Sequence, residues 1–201
     1  MSKQANIPTS EELAKLLDKV RQDKPYGIRD YTILHFSYYA GLRAKEIAKL
    51  MLQDVFEDGE IKEEAYLEAH QTKNTTDRKT GRKIFLQHPK LQRALSDYIE
   101  YESGNSKLVE RRPLFISARG LSISADSMVH IIKRIYKRHG LHTLSSHSGR
   151  RYFATMLREE FPDMNAKELQ DYGGWKSIAM AYQYIEVSPK KQQDRLKKAT
   201  F

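Results

Sequence analysis

The stretch "GIRDYTILHFSYYAG" most constrains the fold, because it has helical length and is mostly apolar. Such a helix has little surface to give to water, so it is expected deep in the core. Gly41 is placed to end it, since glycine adopts the left-handed backbone of a helix C-terminus at little cost. "RAKEIAKLMLQDV" starts another helix almost at once. Upstream, "TSEELAKLLDKV" opens a helix in which Thr9 caps and Glu12 closes a capping box. Its apolar set Leu13, Leu16, Leu17 and Val20 repeats at helical spacing.

After Asp54 the texture changes to short alternating stretches separated by turn residues. They predict three short strands, at about 54–57, 64–70 and 82–87, in one antiparallel sheet. Pro89 then opens a helix through "KLQRALSDYIEYE". "RPLFISA" is a short apolar segment, and "SADSMVHIIKRIYKRHG" is an amphipathic helix ending at Gly140. "SHSGRRYFATMLREEF" is a further helix, with Phe153, Met156, Leu157 and Phe161 on one side. "NAKELQDYGG" and "SIAMAYQYI" are short helices around a Gly-Gly break. The fold class is therefore α+β, mainly α-helical, with a small antiparallel three-stranded sheet near the N-terminal third. Residues 1–8 read as a flexible lead-in, 9–187 as one domain, and 188–201 as a basic tail.

The chain has 201 residues, enough to bury one sizeable core. Thirty-five Lys and Arg against 26 Asp and Glu give a net charge of +9, which favours a polyanionic partner. A solvated basic surface that serves solubility is the equal alternative on charge alone. There is no Cys, which excludes disulfides, thiolate chemistry and Cys-based zinc sites. No run has the length of a signal-peptide core or a membrane span, so the expected location is the cytoplasm, with no membrane partner.

Several residues invite chemistry, each with a plainer reading beside it. Arg43 follows Gly-Leu between apolar segments, with Glu46 three residues on. It is either a simple ion pair on a helix face or an Arg fork aimed at a phosphate and held by Glu46. His147 and Arg150 are three apart at a helix start, where free N–H groups favour an anion. Lys73 lies where the second expected strand enters its polar turn, the usual place for a solvated lysine. Trp175 follows Gly173-Gly174, and a lone Trp is usually core. Taken singly, each plainer reading is favoured.

In order they form a pattern: Gly-Leu-Arg-x-x-Glu, a hairpin Lys, His-x-x-Arg, Gly-Trp, then a Tyr nine positions after the Trp. This pattern resembles the tyrosine recombinase (phage integrase) family over nearly the whole chain. The resemblance implies the catalytic set Arg43, Lys73, His147, Arg150, Trp175 and Tyr184, supported by Glu46 and Gly174. Trp175 stands where His is commoner, and Gly149 where many members have Leu, which is expected to loosen the helix start. Lys79 and Lys83 are the alternatives to Lys73, because the span to "GRKIFL" is long for a hairpin. Tyr182 and Tyr184 point about 200° apart on a helix, so one pocket cannot use both. The spacing from Trp175 selects Tyr184.

The family further implies DNA strand exchange through a 3′-phosphotyrosine, with no metal and no cofactor. Integration, excision and inversion are its outcomes. Double-stranded DNA is the implied partner, with a homo-tetramer on DNA and accessory DNA-bending proteins. The implied setting is a prokaryotic nucleoid or a phage-infected cell. The pattern begins within the first ten residues, whereas most members carry a separate helical clamp domain before it. Either such a domain has been cut away or, as is the expectation here, the chain resembles the short single-domain recombinases that invert fimbrial promoter segments. The tail is expected to dock on a neighbouring protomer or to fray. Two other readings stay open: a catalytically silent DNA-binding protein, and a topoisomerase-like enzyme that nicks and reseals.

Overall fold

The computed structural model describes residues 5–72, 81–105 and 111–185. Helix α1 (Ser10–Gln22) starts at Thr9, whose Oγ1 accepts the Glu12 N–H at 3.1 Å while Glu12 accepts the Thr9 N–H at 2.8 Å. This is the expected capping box. Helix α2 (Gly27–Tyr39) buries an unbroken run from Thr32 to Tyr38. Two of its polar members are hydrogen-bonded across helices: Thr32 donates to the Ala94 carbonyl at 3.0 Å, and Tyr38 accepts from Tyr136 at 3.1 Å. The apolar side chains, Ile33, Leu34 and Phe36 among them, are wholly buried. Each is worth about 1.5–3 kcal/mol of burial.

The helix expected after Gly41 is interrupted. It appears as two short turns, α3 (Ala44–Ile47) and α4 (Leu52–Val55). Between them Leu50 accepts the Leu114 N–H at 2.8 Å and Leu52 donates to the Arg112 carbonyl at 2.9 Å. The chain gives up one helical turn for an extended pairing of Met51 with Pro113. That pairing also buries Leu50 completely.

Among the described residues, the expected single three-stranded sheet is instead two two-stranded ones. Strands β1 (Phe56–Glu57) and β2 (Glu60–Ile61) pair across the two-residue turn Asp58-Gly59. Strands β3 (Glu64–Leu67) and β4 (Arg82–Phe85) form the second antiparallel pair, with Leu67 opposite Arg82. A short 3-10 turn, Ala69–Gln71, follows β3. Helices α5 (Pro89–Asn105) and α6 (Ala125–Arg138) pack on α2.

Contacts divide the chain into two units, residues 1–153 and 154–201, with the division inside α7 (Ser148–Glu160). The second unit holds α8 (Ala166–Gly173) and α9 (Ile178–Ile185). Its core is Ala154, Leu169, Trp175 and Ala181, flanked by Leu157, Met164 and Tyr184. Phe161, expected on the packed side of α7, is half exposed. The tail 188–201 lies outside the described residues. No helix among the described residues is long and apolar enough to cross a membrane.

Candidate active site

The first unit gathers its arginines around one carboxylate. Gly41 ends α2 at φ +62°, and an added Cβ would lie 2.8 Å from Phe153 Cε1 and closer still to its neighbour. That glycine leaves its carbonyl for Arg150, whose Nη1 donates to it at 2.6 Å. Two residues on, Arg43 caps α3. Glu46 accepts the Arg43 backbone N–H at 2.9 Å on Oε2 and the Arg43 Nη1 at 2.9 Å on Oε1. The motif Gly-Leu-Arg-x-x-Glu thus makes a turn in which the acid fixes both ends of its own arginine.

Glu46 is also the partner of Arg82, on β4, which donates from Nη2 at 2.9 Å and from Nε at 3.4 Å. Arg150 Nη1 approaches the same carboxylate at 3.9 Å. Side-chain exposure is 0% for Glu46, 6% for Arg150, 7% for Arg82 and 17% for Arg43, so Arg43 is the most open of the three arginines. Burial alone pushes the Glu46 carboxyl up. The charges of Arg82, Arg150 and Arg43 outweigh that and hold it at about 2. Three guanidiniums on one carboxylate leave a net positive cluster, suited to a phosphate.

His147 is exposed directly before α7, and its carbonyl accepts the Arg151 N–H at 3.0 Å. Its own N–H donates to Ser145 Oγ at 3.2 Å. Gly149, expected to loosen this helix start, does the opposite. A Cβ there would lie 2.8 Å from Ser37 Cβ and nearer to its Oγ. The glycine therefore lets α7 pack closely on α2, a contact between distant segments that local spacing does not reveal.

Of the candidate lysines, Lys73 and Lys79 lie outside the described residues. Lys83 is on the outer face of the β3–β4 pair, bound to both Glu64 oxygens at 2.8 and 2.9 Å. Strand alternation turns it away from the buried face that carries Arg82 to Glu46, which weighs against Lys83.

In the second unit, Gly174 takes φ +57° at the end of α8. Trp175 follows with 6% exposure, inside the small apolar core. Its ring stacks on Tyr184 at 5.2 Å with 24° between planes. Tyr182 is 52% exposed, so the two tyrosines do face different surroundings. No group of three metal-ligating side chains occurs among the described residues. Arg82 is the cluster member the sequence reading missed. Its one local signal, a charged residue in an alternating strand, does not name its partner.

The family model of the phage integrase family matches residues 7–191. The chain belongs to the phage integrase family. It is 24% identical over 179 residues to tyrosine recombinase XerC of Pelobacter propionicus, covering 89% of this chain and 54% of that protein. It is 28% identical over 194 residues to tyrosine recombinase XerD of Bifidobacterium longum, covering 92% and 59%. The chain thus spans less than two thirds of the length of these relatives. Among solved structures, the Tn1549 transposon integrase in complex with transposon right end DNA aligns at a TM-score of 0.73 and 20% identity, covering 98% of this chain and 67% of that one. XerA recombinase aligns at 0.72 and 18%, covering 99% and 68%. These likenesses share the fold of this phage integrase family member.

Proposed function

We propose that this chain is the catalytic part of a site-specific DNA recombinase that cuts and rejoins strands through a 3′-phosphotyrosine. The observation that carries the reading is the convergence of Arg43, Arg82 and Arg150 on buried Glu46. A phosphodiester in its pentavalent transition state gathers charge on its non-bridging oxygens. Preorganised guanidinium donors from Arg43 and Arg150 stabilise that charge, assisted by His147 and the Trp175 N–H. Tyr184 attacks phosphorus and displaces the 5′-oxygen. A free phenol has a pKa of ~10, so a base must take its proton during attack, and His147 is assigned that role. Lys73 protonates the departing 5′-oxygen. The phosphotyrosine ester retains the bond energy, so the 5′-hydroxyl of another strand reverses the step.

Double-stranded DNA is the proposed substrate. It fits the net charge of +9 and would be bound with strong salt dependence. A tetramer on DNA and accessory DNA-bending proteins are part of the same proposal. So is residence in the cytoplasm, at a prokaryotic nucleoid or in a phage-infected cell.

The test is covalent trapping on nicked duplexes drawn from the gene's own neighbourhood, so that the released fragment diffuses away. A denaturant-resistant adduct should form with wild type and Tyr182→Phe and vanish with Tyr184→Phe. An adduct that survives Tyr184→Phe overturns the assignment. Binding without any adduct would favour the silent DNA-binding reading. Relaxed circles in place of recombinants would favour a nicking-resealing enzyme.

A further inference from the structure

We propose that Arg82 is a positioning residue for the reaction, acting through Glu46 on Arg43; this rests on the reading of Arg43 as a phosphate ligand. Arg82 brackets the carboxylate, with Nε toward Oε1 and Nη2 toward Oε2. That two-point grip sets the rotation of the carboxylate about its last bond. The orientation of Oε1 in turn sets where Arg43 Nη1 is held, and Oε2 holds the Arg43 backbone N–H. Arg82 reaches this turn from 36 residues away, from the first position of β4. It therefore ties the β3–β4 pair to the arginine turn. The connection between those strands is the one that contains Lys73.

Stability alone does not account for the arrangement. A buried ion pair recovers little more than its desolvation cost. Among the described residues, this one also leaves Arg82 Nη1 buried without a hydrogen-bond partner, an unmet donor of the kind that costs about 1–3 kcal/mol. Placement of Arg43 is what the grip achieves.

The test is a double-mutant cycle of Arg82→Met and Glu46→Gln, read as the single-turnover rate of adduct formation at saturating nicked duplex. DNA affinity and melting temperature are measured alongside. Arg82→Met should slow the adduct ~10–100-fold, the scale of a small misplacement of a reacting group. DNA affinity should change much less. The double variant should be no slower than Glu46→Gln alone, because both act on one path. Full additivity overturns the proposal, since it would mean that Arg82 acts independently of Glu46. Arg82→Lys keeps the charge without the fork. It should recover the melting temperature but not the rate, and full recovery of the rate also overturns the proposal.

A second arm needs no DNA: the Arg43 Nε–Hε resonance in arginine-labelled protein. It should move in Arg82→Met, or in Arg82→Lys if the Met variant does not fold. An unmoved resonance overturns the proposal. If wild type forms no adduct, the recombinase reading falls, and this resonance alone decides the coupling.

Discussion

Single side chains decide more here than their type suggests. Glycine at 149 removes a Cβ that would press into Ser37. Gly149→Ala should therefore cost about 1–3 kcal/mol in denaturant unfolding, the usual penalty for forcing volume into a packed contact. Ser37→Ala should cost little by comparison, because the buried Ser37 hydroxyl makes no hydrogen bond among the described residues. A loss below ~0.5 kcal/mol for Gly149→Ala, the range of a neutral surface change, would show that α7 can back away from α2. The same scale explains what the sequence left open at the arginines. Arg43 with Glu46 was legible because the acid lies three residues on and closes a local turn. Arg82 was not, because its partner is 36 residues distant and nothing nearby distinguishes it from a solvated strand residue.

Elements divide along the same line between local and distant causes. The start of α1 was readable because its cap is a four-residue matter, Thr9 to Glu12. Thr9→Ala should lower stability by about 1 kcal/mol, checked by the urea midpoint at unchanged slope. An unchanged midpoint would mean that packing of Leu13, Leu16 and Leu17 holds the end unaided. The break between α3 and α4 was not readable, since it depends on hydrogen bonds from Leu114 and to Arg112, some sixty residues on. The strand count failed for a related reason. Alternation marked β1, β3 and β4 but not the two-residue β2, and no periodicity says which short strand pairs with which. The small core of the second unit was half visible. A lone Trp after Gly-Gly suggested packing, and the ring does pack, yet its stacking on Tyr184 joins that role to the proposed nucleophile.

At the scale of the molecule, two buried groups with large shifts, His35 and Glu46, contribute to how folding answers to acid. His35 lies in the middle of α2, its Nδ1 2.8 Å from the Tyr31 carbonyl, between the rings of Tyr31 and Tyr39. Burial lowers its pKa from 6.5 to about 4; the Tyr31 carbonyl opposes the shift, and nearby His88, Lys90 and Arg21 add to it. The unfolded chain then takes up this proton first. Stability contributed by neutral His35 is present above pH 6.5 and is lost as the pH falls to about 4. Glu46 acts in a lower window. Its carboxyl is held at about 2 against an ordinary 4.5, so its contribution is present above pH 4.5 and is lost as the pH falls to about 2. Acid denaturation should therefore show two limbs, measured as urea midpoints from neutral pH downward. His35→Phe should flatten the upper limb and leave the lower one. Arg82→Met should raise the pKa of Glu46 and shrink the lower limb, leaving the upper one alone. An upper limb that persists in His35→Phe would assign it to other groups and end the argument that the buried histidine governs it.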